Sequence, residues 1–199
     1  MNFLAHAFLS DLKNPIQLTG NFFGDFVKGR EELQAQSPEM QEGVYLHRAI
    51  DTYTDAHPVV LQSKKRLFPK YRHYGRVLVD LYYDHLLAAH FERYSSTPLL
   101  PFTKQVYSLL KEQRKHVPQR AQLLLNRMSA DNWLYHYRTL EGIGQACRGM
   151  SMRSSFQSGM EEGAKDLEKH YAAFEQEFFL FFEDLQQYVN TWKREKKAG

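Results

Sequence analysis

Several short stretches of this chain set acids or histidines among apolar neighbours, where each needs a partner that water does not supply. In VLVDLYYDHLLAAHF, Asp80 and Asp84 stand four apart and share one face of any helix that carries them. Val79, Leu81, Tyr82, Leu86 and Leu87 leave that helix little exposure to solvent. An ionised carboxylate costs several kcal/mol to bury unless it is paired or bound to metal. Two carboxylates on one face also repel, a conflict that a cation or a raised pKa resolves. An Asp–Arg pair with a neighbouring helix accounts for the segment equally well. His47, Asp51 and Asp55 form a second one-face stack, H-x3-D-x3-D, with Arg48, Thr52 and Thr54 suggesting partial exposure. Asp25 sits among aromatics in GNFFGDFVKG, and His6 lies inside the apolar NFLAHAFL. A lone histidine in such a setting reads first as a satisfied core residue.

Taken together these stretches say more than singly, because helical bundles build metal sites from side chains on facing helices. Carboxylates with imidazoles suit manganese, magnesium, iron or zinc, and the lack of cysteine ligands argues against a structural zinc. A carboxylate-rich set with few histidines leans toward manganese or magnesium. The chain has no P-loop, no G-x-G-x-x-G, no G-x-S-x-G and no H-E-x-x-H.

The elements that position these groups read as helices. Ser37-Pro38-Glu39 supplies a hydroxyl cap, a proline at the first helical position and an early acid, predicting a helix through His47 and Asp51 to about Ala56, stopped by Pro58. A buried helix is expected over about Arg76 to Tyr94. Met160, Ala164, Leu167, Tyr171, Phe174, Phe178, Phe181, Leu185, Tyr188 and Trp192 recur at spacings of four and three, predicting one long amphipathic helix. Its apolar face is too wide for a coiled-coil seam, so it reads as core. Turn signals cluster around Gly29 to Ser37 and Pro69 to Gly75. No repeat or linker divides the 199 residues, 43% of them apolar and 14% aromatic, so the expectation is all-α: a single-domain helical bundle over 1–199 with a basic tail at 193–199.

No apolar run is long enough to span a bilayer, and the N-terminal stretch has no basic leader or cleavage site, so no membrane association is expected. One cysteine, Cys147, excludes an intrachain disulfide and fits a reducing, cytoplasmic setting. The formal charge of +3 is matched by the tail, which leaves a neutral body and makes nucleic-acid binding an unfavoured reading. Local charge is more informative. Lys64, Lys65, Arg66, Lys70, Arg72 and Arg76 fall within fifteen residues without an acid. They form either a solvated face or a docking surface for an acidic partner.

In order along the chain, MNFLAHAFLS, GNFFGDFVKG, GVYLHRAIDTYTDAHP, DLYYDHLLAAH and WLYHYRTLEGI resemble the motifs of the acyl carrier protein phosphodiesterases. The resemblance implies hydrolysis of holo acyl carrier protein to its apo form and 4′-phosphopantetheine, a manganese requirement, an acidic protein substrate and a fold distantly similar to the HD-domain phosphohydrolases. At the apparent place of the His-Asp dyad of that wider class, this chain reads Gly24-Asp25, so the ligand histidine must come from elsewhere, with His6 and His47 as candidates. On this reading Asp25 and Asp80 are metal ligands, completed by His6 or His47. Asp84 or Asp51 orients the water or a ligand histidine, and His85 protonates the leaving serine oxygen. Lys28 and Arg48 clamp the phosphate, and the Lys64–Arg76 segment docks the carrier. Magnesium or another divalent metal would suit the same set. Two alternatives stand beside it: an HD-like phosphohydrolase of nucleotides or another small phosphodiester, and a non-enzymatic helical binding protein. Oligomeric state is not readable from the chain.

Overall fold

The structure, a computed structural model, describes residues 1–198, which are helical with no strand. Twelve α-helices follow in order: α1 (Phe3–Phe8), α2 (Pro15–Phe22), α3 (Gly29–Gln34), α4 (Pro38–Ala56), α5 (Pro58–Tyr71), α6 (Gly75–Ala89), α7 (Leu99–Glu112), α8 (Gln119–Ala130), α9 (Trp133–His136), α10 (Leu140–Ser151), α11 (Gly163–Lys169) and α12 (Tyr171–Ala198). One-turn 3-10 helices fill several of the connections, among them Gly24–Phe26 and Arg114–His116.

Helix α4 starts and stops where its sequence dictates. The Ser37 hydroxyl accepts the Met40 N–H at 3.3 Å, and His57 turns extended so that Pro58 can open α5. The apolar helix expected over Arg76 to Tyr94 is α6, which ends at Ala89 and passes into a single 3-10 turn, Phe91–Arg93. Gly29 to Ser37, expected as turn, contains α3. The C-terminal stripe differs more. It breaks at His170, whose φ of −116° leaves the helical region, so that α11 packs on α10 while α12 packs on α5, α6 and α4. The basic run from Lys193 is helical within the described residues. It continues α12 to Ala198, and Lys193 Nζ donates to the Leu9 carbonyl at 2.6 Å; Gly199 lies outside the described residues.

The core is built on α12. Phe174, Phe178, Phe181, Phe182 and Leu185 are all fully buried there, against Tyr82 and Tyr83 of α6 and Phe8 of α1. Truncating any one of these phenylalanines to alanine should cost about 3–5 kcal/mol. Near the site the packing is backbone on backbone. Helices α2 and α4 cross at Gly20 and Gly43, where a Cβ on Gly43 would stand 2.2 Å from the Gln17 carbonyl oxygen. That approach brings Asn21 of α2 within reach of His47 of α4. No described helix is long and apolar enough to cross a membrane.

Candidate metal centre

Three side chains from two helices converge on one point. His6 comes from α1, His47 and Asp51 from α4, and one ligand atom from each lies within 4.8 Å of the others. The Asp51 carboxylate sits between the imidazoles, its Oδ1 3.2 Å from His6 Nε2 and its Oδ2 3.2 Å from His47 Nε2. Asp25, in the 3-10 turn after α2, places Oδ1 3.6 Å from His47 Nε2. The two rings stack, with centroids 4.1 Å apart.

One buried residue orients both rings. Asn21 Oδ1 stands 3.0 Å from His6 Nδ1, and the Asn21 main-chain carbonyl stands 2.8 Å from His47 Nδ1. The Asn21 amide fixes its own orientation by donating from Nδ2 to the His6 carbonyl and to Ser10 Oγ, so Oδ1 is the atom that faces His6. With acceptors at both Nδ1 atoms, each neutral imidazole carries its proton there, and each Nε2 lone pair points toward Asp51. Both Nε2 atoms are buried and make no hydrogen bond, with an Asp51 oxygen at ion-pair distance from each. With both rings neutral, two unpartnered nitrogen lone pairs and a carboxylate leave room for a cation among them, a place that a proton on His47 takes when no metal is bound. A donor set of two imidazoles and one carboxylate, with Asp25 beside it, fits a divalent first-row metal or magnesium.

Titration follows the same logic. Burial, aided by the neighbouring His47, pushes His6 down to about 4. Burial works against protonated His47 too, but the Asp25 and Asp51 carboxylates outweigh it and push the ring up to about 9. His47 in turn holds Asp25 below its usual range. Against the cost of burial, His47 and His6 hold Asp51 far below the ordinary carboxylate range.

The cluster opens on a cleft of about 300 Å³ lined by Asp25, Lys28, His47, Arg48, Asp51 and Asp55, among others. Arg48 Nη2 reaches the Val27 carbonyl at 3.4 Å, and the Lys28 main-chain N–H donates to Glu32, so both bases are tied to the wall that carries Asp25. Gly24 is necessarily bare. A Cβ there would lie 2.4–2.7 Å from atoms of the His47 side chain, so the imidazole of α4 occupies the space beside Asp25.

Other groups named from the sequence lie elsewhere. Asp84 is fully buried beneath α1 and accepts the Leu4 and Ala5 N–H groups at 2.7 and 3.0 Å, capping the helix that presents His6. Burial pushes its pKa up to about 7 against the pull of those two donors. Asp80 Oδ1 lies 3.2 Å from the Met1 amino nitrogen, which also stands 3.5 Å from Asp51; Asp80 is thus next to the cluster rather than in it. His85 faces the opposite side of α6, with Nδ1 2.7 Å from the Tyr137 carbonyl and Nε2 3.1 Å from the Tyr171 hydroxyl, and it does not line the cleft. In the basic segment, Lys64 pairs with Asp55, Arg66 with Glu177 through two contacts of 2.6 Å, and Lys70 with Asp166. Lys65, Arg72 and Arg76 are exposed. Asn21 had no place in the sequence reading; the available signal was an amide amid apolar LTGNFFG, which burial obliges to find partners.

Comparison with known proteins returns a family model described as acyl carrier protein phosphodiesterase, matching residues 1–185. Among curated relatives, the acyl carrier protein phosphodiesterase of Photorhabdus laumondii is 33% identical over 92% of this chain and 91% of its own length. That of Enterobacter sp. is 32% identical over 92% and 94%, and that of Pectobacterium atrosepticum 31% over 96% and 98%. No solved structure matches significantly.

Proposed function

This chain belongs to the acyl carrier protein phosphodiesterase family, and from that premise we propose that it hydrolyses holo acyl carrier protein to apo protein and 4′-phosphopantetheine, using a divalent metal, manganese first. The observation that carries the metal reading is the pair of buried Nε2 atoms of His6 and His47, both without hydrogen-bond partners and both turned on Asp51. His6, His47 and Asp51 would hold the cation, with exposed Asp25 completing the set from the cleft side. When bound, such an ion lowers the pKa of water and draws charge from a phosphoryl oxygen.

The chain's own groups do the rest. Asn21 keeps both imidazoles in the tautomer that presents Nε2. Asp84 caps the start of α1, the helix that carries His6. Arg48 and Lys28, on the cleft wall, offset the negative charge of the phosphodiester as it seats. The leaving serine oxygen takes its proton from the cleft side, since His85 is turned away with both ring nitrogens engaged.

Incubating holo acyl carrier protein with the purified chain and Mn²⁺, with and without chelator, tests this by intact mass. Loss of the phosphopantetheine mass, suppressed by chelator, is the expected result. An unchanged carrier mass with Mn²⁺, Mg²⁺, Fe²⁺ and Zn²⁺ alike would refute the activity.

A further inference from the structure

A second groove, of about 530 Å³, runs beside the metal-centre cleft. One wall is Phe26, Val27 and Glu32; the other is the turn between α7 and α8, with Lys115, His116 and Arg120. Val27 lines both depressions, so the two adjoin at the segment that carries Asp25. Arg120 ties the walls together: its Nε donates to the Phe26 carbonyl at 2.9 Å and its Nη2 pairs with Glu32 at 2.6 Å.

The turn beside this groove carries exposed positive charge, and Lys115 lines the groove itself. Residues 104–127 hold six bases against one acid, Glu112. Lys111, Arg114 and Lys115, at the turn, are exposed, and none pairs with a carboxylate among the described residues; Arg114 engages only the neutral Asn126. In the Lys64–Arg76 segment Lys64, Arg66 and Lys70 pair with acids of the same chain, and the exposed Lys65, Arg72 and Arg76 line neither depression. Cations spread along an exposed turn, rather than converging in a closed pocket, suit a partner whose negative charge is also distributed over a surface.

We propose that the α7–α8 turn and its groove dock an acidic protein surface, that of the carrier, and lead its phosphodiester past Val27 to the His6–His47–Asp51 cluster. This rests on the function proposed above, but its test does not depend on turnover.

Lys111, Arg114 and Lys115 are reversed to Glu in one full-length variant and neutralised to Gln in a second, whose milder change guards against misfolding. Affinity for apo acyl carrier protein, which has no phosphodiester to cleave, is read by fluorescence anisotropy at low and high salt. Turnover is read on holo carrier and on bis(p-nitrophenyl) phosphate. The reversal should weaken carrier binding at low salt by at least about tenfold, with a smaller loss in the Gln variant. Both losses should shrink as salt rises, and small-diester turnover should be unchanged. Reversing Lys65, Arg72 and Arg76 should change binding less than about twofold. Unaltered carrier binding in both turn variants, equal losses from the two segments, tighter binding of a single-stranded RNA than of the carrier, or no carrier binding by the parent chain would each overturn the proposal. Carrier binding that depends on the turn in a chain that cleaves no holo carrier would uphold the docking surface and refute the activity.

Discussion

Helices α4 and α6 each carry two ionisable groups four residues apart, His47 with Asp51 and Asp80 with Asp84, yet the fold uses them differently. The α4 pair meets His6 at the mouth of a cleft, and Asp51 keeps 36% of its side chain exposed. Asp84 is at 0%, sealed under α1 with two backbone N–H groups as its partners. A carboxylate in an apolar helix announces that it needs a partner. Which partner depends on what packs over it. On α6 Leu81, Tyr82 and Tyr83 leave Asp84 only a helix start to bind, whereas α4 turns its pair toward α2 and solvent.

The sharpest way to break that comparison is to remove one carboxylate from each helix. Asp51→Asn should lower kcat/KM on holo carrier about a thousandfold, roughly 4 kcal/mol of barrier, in a chain that still folds. Asp84→Ala should do the reverse, costing about 2–4 kcal/mol in urea denaturation by stranding two donors, while the folded fraction keeps most of its turnover. Asp84→Ala abolishing turnover in a chain of unchanged stability would erase the distinction. A smaller effect is expected at Asn21. Asn21→Leu should weaken Mn²⁺ binding to the metal-free protein about 10–100-fold, read by electron paramagnetic resonance of the free ion. A pH dependence follows from the same site. His47, pushed up to about 9, holds a proton at neutral pH that the metal must displace. Mn²⁺ affinity should therefore climb by up to about tenfold per pH unit toward 9 and level off above it. In the metal-free protein the sign is opposite: the raised pKa makes His47 stabilising below its unfolded value of 6.5, a contribution lost as pH rises through about 9. A flat affinity profile from 7 to 9 would show that His47 is already neutral.

Much of this was legible in the chain. Capping chemistry and Pro58 placed both ends of α4, and the apolar settings of His6 and Asp25 together with the one-face spacing of His47 and Asp51 marked residues the fold brings together. The rest depended on partners distant in sequence. Arg66 and Glu177 are 111 residues apart and Lys70 and Asp166 are 96 apart, so a run of bases that reads as a docking face is partly internal glue. Asp80 and Asp84 could be sorted only once α1 was seen lying across α6. The break at His170 carries no proline or glycine to announce it, and the apolar spacing runs through it unchanged. Asn21 acts partly through its main-chain carbonyl, an atom every residue possesses and no side-chain pattern reveals.

The bare Gly24 has a consequence for how such sites are found. Because the ring of His47 fills the room beside it, the imidazole next to Asp25 comes from a helix further along the chain and not from the adjacent position. Asp25 and His47 are neighbours in space and 22 residues apart in sequence. A survey that recognises this chemistry by neighbouring letters would pass over the chain, and one keyed to a glycine-aspartate step facing a histidine would retrieve it.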